Sequence, residues 1–325
     1  MATLDTDRIV TDTAKLIAEH YVFPEVAEQL SALLLANLGA GRYAAAGTAE
    51  QLAVLVTEDL RSINGDQHLR LKFHAEQAPE EPGGAVLAEV TREADGSLNG
   101  VPLVQRLDGG VVLLELAPII FPMTLKDGAT GETLIAALNL VAGAEALIID
   151  LRRNRGGSPD TVAFICSYLL DESTHLNTNY WRDGDTYAQS WTLPYVPGPR
   201  FGGSKPLYVL TSGTTFSGAE ELSYDLQQLG RAVVVGERSR GGAHPREGYT
   251  VHPHLEATIP TGRSVNPVSG TDWEGVGVQP DIEVPATEAL DRAHHEALAA
   301  LAAASAAAVS ATATAAASAA AAVSA

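Results

Sequence analysis

This sequence predicts an α/β layer fold fronted by a helical amino-terminal part, and three observations carry that prediction. Apolar residues between positions 7 and 62 recur every three or four places, the spacing of one buried helix face. The period then changes to two, with Leu69, Leu71 and Phe73 alternating with Arg70, Lys72 and His74 as in a half-buried strand. Farther on, the continuous apolar runs 146–151 and 205–210 each lead through a small, polar or glycine-bearing turn into a helical pattern. Such runs belong to strands of a sheet covered on both faces, and their alternation with helices defines the α/β class.

The elements follow in order. Helices are predicted over residues 9–20, 25–38 and 48–63, with Pro24 opening the second, where a missing N–H costs nothing, and Gly39 and Gly41 stopping it. The polar, turn-rich stretch 77–99 carries one predicted strand at 85–91. Residues 101–107 and 111–116 form a hairpin around Asp108-Gly109-Gly110. A helix over 130–142, the strand 146–151, the turn Arg152-Arg153-Asn154-Arg155-Gly156-Gly157-Ser158 and a helix over 161–170 come next. After the strand 205–210 and the turn 211–215, a helix starts at Ser217, with Ala219, Leu222, Leu226 and Leu229 near helical spacing and Gly230 as its stop. Strands are predicted at 232–236, near 249–259 and at 281–284. From about Ala289 the composition collapses to alanine with Ser, Thr and Val, a stretch that is helical or disordered, with Leu298 and Leu301 available to dock its first turns. The expected organisation is therefore a helical subdomain 1–64, an α/β core 65–288 and an alanine-rich tail 289–325.

Composition narrows the function classes. A formal charge of −19 and a pI near 4.8 argue against nucleic acid or an anionic membrane as partner. Cys166 is the only cysteine, so an internal disulfide and a cysteine-built metal site are excluded, and its place in an apolar helical run reads as core filling. Residues 1–10 do not read as a secretory signal, and no run of 18 apolar residues precedes the tail, so a cytoplasmic location is expected.

Strand, tight turn and helix put Ser217 at the carboxyl edge of the sheet, where open α/β folds bind ligands. Ser217-Gly218-Ala219-Glu220 also fits a capping box, so local sequence leaves helix cap and nucleophile both open. The GxSxG elbow is absent, because Thr215 stands where its first glycine would be. His68 lies where the helical part meets the sheet. His252 and His254, two apart on a predicted strand, have a spacing compatible with a metal but no partnering cysteine, HExxH motif or carboxylate cluster, and no metal or other cofactor is expected.

Several stretches in one order resemble the tail-specific, or carboxy-terminal processing, serine peptidase family, in its branch without a PDZ domain that includes the modules of interphotoreceptor retinoid-binding protein. They are Tyr21-Val22-Phe23-Pro24-Glu25, Gly65-Asp66-Gln67-His68-Leu69, Asp150 to Gly157, Ser217-Gly218-Ala219-Glu220 and Trp273-Glu274-Gly275-Val276-Gly277-Val278-Gln279-Pro280-Asp281-Ile282. The resemblance implies a crotonase-like layered core, Ser217 as nucleophile, and backbone N–H groups of Gly218 and of the Gly156-Gly157 pair as oxyanion donors. Many members use a serine–lysine dyad, but the matching stretch here is Ser239-Arg240-Gly241-Gly242-Ala243 and no lysine follows Lys205. An arginine does not deprotonate, so the dyad is excluded. The tricorn-type branch implies instead His68 as base and Glu274 as orienting acid, with Asp66 second. The expected activity is a serine peptidase acting on peptides or flexible protein segments through an acyl-enzyme, with homo-oligomerisation left open. A non-catalytic binder of an apolar ligand, a retinoid or fatty acid, is the alternative on the same fold.

Overall fold

The computed structural model describes residues 4–77 and 84–323. Three helices open the chain: α1 (Thr6–His20), capped by the Asp5 carboxylate on Arg8 N–H, α2 (Pro24–Gly39), with Pro24 in its first turn, and α3 (Ala49–Arg61), capped by Thr48. Strand β1 (Arg70–Phe73) follows. Leu71, with Leu69 just before the strand, packs in one apolar cluster with Val10 and Ile17 of α1, Leu30 and Leu34 of α2 and Leu52 and Val56 of α3. The boundary expected at residue 64 thus runs through continuous packing.

The segment expected as a strand at 85–91 is instead part of helix α4 (Gly84–Gly96). Val90 and Ala94 stand four apart and pack together against Phe121 and Leu125, as two residues on one helix face do. Next come β2 (Leu103–Arg106), β3 (Val111–Glu115), α5 (Ala129–Val141), β4 (Ala146–Asp150) and α6 (Pro159–Leu169). A hairpin that the sequence does not predict, β5 (His175–Trp181) and β6 (Thr186–Trp191), is rich in polar residues and mostly exposed on β6, so it gives no apolar run to read. The chain closes with β7 (Leu207–Thr211), α7 (Gly218–Gln228), β8 (Val233–Gly236), β9 (Arg246–His252), β10 (Leu255–Pro260), β11 (Gly262–Val265), β12 (Ile282–Glu283) and α8 (Ala289–Val323).

The central sheet has the order β12-β8-β7-β4-β3-β2, parallel except for the β2–β3 hairpin. Alternate residues of its strands face opposite layers. Leu147 and Ile149 join Leu207, Val209 and the buried faces of α5, α6 and α7, while Ala146 and Ile148 join Tyr208, Leu210 and α8. That two-sided cover is why the strand 146–150 is apolar at nearly every position. The layered α/β core implied by the resemblance is present. Ala289, Ala293 and Ala297 are fully buried, so the tail begins as a docked helix whose small side chains let it lie close on the sheet, and Leu298 and Leu301 pack beside them. Two antiparallel sheets, β1-β10-β9 and β11-β5-β6, complete the fold. Among the described residues no helix is long and apolar enough to cross a membrane.

Candidate active site

The turns after β4 and β7, adjacent parallel strands, are stitched together at the carboxyl edge of the sheet. Ser212 and Thr214 hydroxyls donate to the Arg152 carbonyl, Thr215 Oγ1 donates to the Leu151 carbonyl, and Phe216 N–H donates to the Asn154 carbonyl. This seam delivers Ser217 against the glycine pair. A Cβ on Gly156 would sit 2.7 Å from Ser217 Cβ, and one on Gly157 would lie 2.0 Å from the Ile120 carbonyl oxygen, so only glycine fits. Ser217 itself has φ of +52°, a strained conformation for a residue with a side chain.

The Glu220 arm of the capping box is present, and it reaches beyond the helix. Glu220 is fully buried and accepts from Ser217 N–H at 2.8 Å, Ser239 Oγ at 2.5 Å, Gly241 N–H at 2.6 Å and Gly242 N–H at 2.9 Å. Burial pushes its carboxyl up to about 7 against the pull of those four donors. Sequence reasoning assigns Glu220 only its local role, because Ser239 to Gly242 are distant in the chain.

His68 comes to the serine from the other side. Its Nε2 lies 3.1 Å from Ser217 Oγ, and its ring rests on Phe216 with centroids 4.5 Å apart. Burial pushes the imidazole down to about 3, against the opposing charge of Asp66, so the ring is neutral at ordinary pH. Its Nδ1 is buried with no hydrogen-bond partner among the described residues.

Both candidate acids stand beside this ring without bonding to it. Glu274 accepts from the backbone N–H groups of Gln67 at 3.1 Å, Ala243 at 2.5 Å and His244 at 3.3 Å. Asp66 accepts from His68 N–H at 3.0 Å, from the Tyr21 hydroxyl at 3.0 Å and from His244 Nδ1 at 2.8 Å. One oxygen of each acid and a ring nitrogen of His68 lie within 4.8 Å of one another. Both carboxylates are thus occupied by donors, as two acids held in a hydrogen-bond network. Tyr21 and Phe23, which the sequence marks only as part of a motif, touch this network: Tyr21 bonds Asp66, and Phe23 packs edge-on against His244 at 5.3 Å.

Of the Gly156-Gly157 pair and Gly218, named as oxyanion donors, Gly156 has its N–H already donating to Asn154 Oδ1 at 2.9 Å. The N–H groups of Gly157 and Gly218 donate to no group among the described residues. They are also neighbours, since a Cβ on Gly218 would lie 2.9 Å from Gly157 N. His252 and His254 do not share a strand face. They flank the β9–β10 turn, where His254 N–H donates to His252 Nδ1 and His254 Nδ1 meets the His74 carbonyl.

A layered α/β core with a serine and a histidine in hydrogen-bond contact, beside free backbone N–H groups, has the layout of the serine hydrolases. Comparison with known proteins narrows the class. The chain belongs to peptidase family S41, whose family model matches residues 121–284, and the N-terminal domain of that family in eukaryotic IRBP matches residues 4–96. The carboxy-terminal-processing protease of Bartonella bacilliformis is 26% identical over 137 residues, a match covering 42% of this chain and 30% of that protein. The chain therefore spans under a third of the length of that relative. Among solved structures, mature CPAF has a TM-score of 0.59 at 13% identity, covering 91% of this chain and 96% of that one. A lipoprotein from Streptococcus agalactiae has a TM-score of 0.59 at 15% identity with the same coverage. Identities this low speak to the fold alone.

Proposed function

We propose that this protein is a serine peptidase that cleaves peptides or flexible protein segments through an acyl-enzyme. The observation that carries the reading is the 3.1 Å contact between Ser217 Oγ and a buried, neutral His68 Nε2. Ser217 Oγ attacks the scissile carbonyl and His68 Nε2 takes its proton, then returns it to the leaving amine. The Gly157 and Gly218 N–H groups stabilise the oxyanion. The acid pair Asp66–Glu274 supplies the negative charge that balances the His68 imidazolium as it forms, and Glu274 also fixes the loop carrying His68 through Gln67 N–H. Family membership and the named carboxy-terminal-processing relative support the same activity.

The alternative, a carrier of a retinoid or fatty acid, needs an apolar cavity of several hundred Å³. The apolar cavity lined by Val101, Leu116, Ile120, Phe121, Leu134 and Ile165 has only about 10 Å³, room for one water. The 520 Å³ cleft is lined by Trp181 and Tyr249 but also by Glu19, His20, Arg182, Asp183 and Glu247, a charged lining that does not favour an alkyl chain. Labelling with a fluorophosphonate probe tests the proposal: wild type is expected to be modified at Ser217 and Ser217→Ala not at all. A wild-type protein left unmodified where a control peptidase reacts would overturn it.

A further inference from the structure

Behind His68 lies a second buried histidine that faces three carboxylates. His244 sits in the loop between β8 and β9, its side chain only 6% exposed. Its Nδ1 is 2.8 Å from Asp66 Oδ2 and 3.6 Å from Glu274 Oε2, and its Nε2 is 4.0 Å from Asp272 Oδ2. Both ring nitrogens are thus turned toward acids, which is the environment of an imidazolium rather than of a neutral ring with one accepting nitrogen.

The acids themselves need such a partner. Asp66 is almost wholly buried, Glu274 is part-buried with its side chain 13% exposed, and one oxygen of each lies within 4.8 Å of the other. Two carboxylates that close in a buried site do not both ionise without a balancing cation. Other cations face the cluster from neighbouring elements but are turned elsewhere. Arg61 of α3 donates to the carbonyls of Gln67 and Leu69, Arg246 of β9 pairs with Glu256 and Arg240 lies over the Phe216 ring, while Arg70 of β1 is mostly buried and makes no bond to either acid. Tyr21 contributes a neutral hydroxyl, and Phe23 an apolar edge. Among the described residues, His244 is the cation-capable side chain in hydrogen-bond contact with the pair.

We propose that His244 is a positioning residue whose imidazolium keeps Asp66 and Glu274 ionised together beside His68. The inference rests on the reading of His68 as the base and deepens it, by saying what maintains the negative charge that the His68 imidazolium requires. Directions of titration agree. Burial pulls His244 down, but the Asp66 hydrogen bond and the charges of Asp66, Glu274 and Asp272 carry it above its ordinary value. Burial and the Asp66 charge raise Glu274, and the His244 charge opposes them.

His244→Asn is the informative variant, because the Asn amide can still donate to Asp66 while the charge is gone. Two readouts are taken on the full chain, in wild type and variant. The first is the pH dependence of fluorophosphonate acylation. The acid limb is expected to move up by at least one pH unit, so that the variant is tenfold or more slower on the acid side and recovers toward the wild-type rate at high pH. The second is the titration of the Glu274 side-chain carboxyl carbon by ¹³C NMR, assigned with Glu274→Gln. It is expected to shift up by a similar amount. An unmoved limb, or a loss equal at every pH, would assign His244 a structural role and overturn the proposal, as would a Glu274 titration identical in the two proteins. Should the variant not fold, the wild-type His244 ring decides: a neutral imidazole at pH 6.5 overturns the idea. The carboxyl titration does not depend on Ser217 chemistry. An unlabelled wild type would therefore remove the peptidase reading, while the charge on the acid pair could still be tested by that titration.

Discussion

Gly242→Ala is a small change with a large expected effect on catalysis. Gly242 does not have a positive φ, so alanine is compatible with its backbone and the consequence is steric. The new Cβ would lie 2.2 and 2.5 Å from Phe216 Cε2 and Cζ and 2.9 Å from His68 Cε1, where ordinary contact begins at 3.4 Å. The Phe216 ring must therefore retreat by about 1.2 Å, the shortfall in its nearest contact. It has little room. His68 lies on one side at 4.5 Å and the Arg240 guanidinium stacks on it at 4.7 Å, and the next residue in the chain is the strained Ser217. His68 Cε1 is itself about 0.5 Å too close to the new Cβ, and displacement of the ring by that amount or more is expected to stretch the 3.1 Å contact between His68 Nε2 and Ser217 Oγ. A misplacement of ~1 Å costs on the order of 10²-fold in rate, and overpacking costs about 1–3 kcal/mol of stability. The assay is the second-order rate of fluorophosphonate acylation together with Tm. Gly39→Ala, at a position with no atom within 4 Å, serves as the control and is expected to leave the rate unchanged. Acylation of Gly242→Ala within a few-fold of wild type would refute the placement of His68 against Phe216.

Three further outcomes are expected. Ser217→Gly and Ser217→Ala both abolish labelling, but the glycine variant is the more stable by about 1 kcal/mol in urea unfolding because it relieves the positive φ; equal stabilities would remove the strain argument. His68 has a folded pKa below its unfolded one, so the unfolded chain takes up the proton first and stability is lost as pH falls from 6.5 toward about 3. Relative to His68→Gln, wild type should lose about 1.4 kcal/mol per pH unit in that window, and parallel stability–pH curves would contradict the burial of a neutral ring. Removing residues 302–325 should leave Tm and acylation nearly unchanged, since the described side chains from 302 to 308 are exposed, whereas removal from 289 uncovers Val111, Leu113, Ile148 and Leu210 and should unfold the sheet; a large drop in Tm from the shorter truncation would assign the distal tail a packing role.

What can be read in the sequence is what periodicity and local chemistry determine. The apolar strands 146–150 and 207–211 and the helices after them announce themselves because both sheet faces are covered. The β5–β6 hairpin does not, because polar residues on an exposed ribbon carry no burial pattern. The α4 segment misleads because its valines and leucine suit a strand as well as a helix, and only the contacts of Val90 and Ala94 decide between them. At the site, motif order alone pairs Ser217 with His68, and the fold brings them into contact across 149 residues of chain. Which N–H of the glycine pair is free cannot be read from the sequence, because it depends on where Asn154 turns its side chain.

The acids are the hardest to place, and the loop 237–245 explains why. In the sequence, Ser239-Arg240-Gly241-Gly242-Ala243 is the place where a lysine is missing. In the fold the same stretch is held from two sides by buried carboxylates. Glu220 gathers Ser239 Oγ and the N–H groups of Gly241, Gly242 and Ser217, while Glu274 gathers the N–H groups of Ala243, His244 and Gln67. The Trp273 indole N–H closes the arrangement on the Gly242 carbonyl. One carboxylate thus ties the loop to the turn of the serine and the other ties it to the turn of the histidine. Without helix or strand to satisfy it, this buried backbone depends on those charges for its hydrogen bonds. Two glutamates, neither of which bonds to the side chain of Ser217 or His68, thus couple the two turns through one loop, and a substitution in that loop is expected to disturb both.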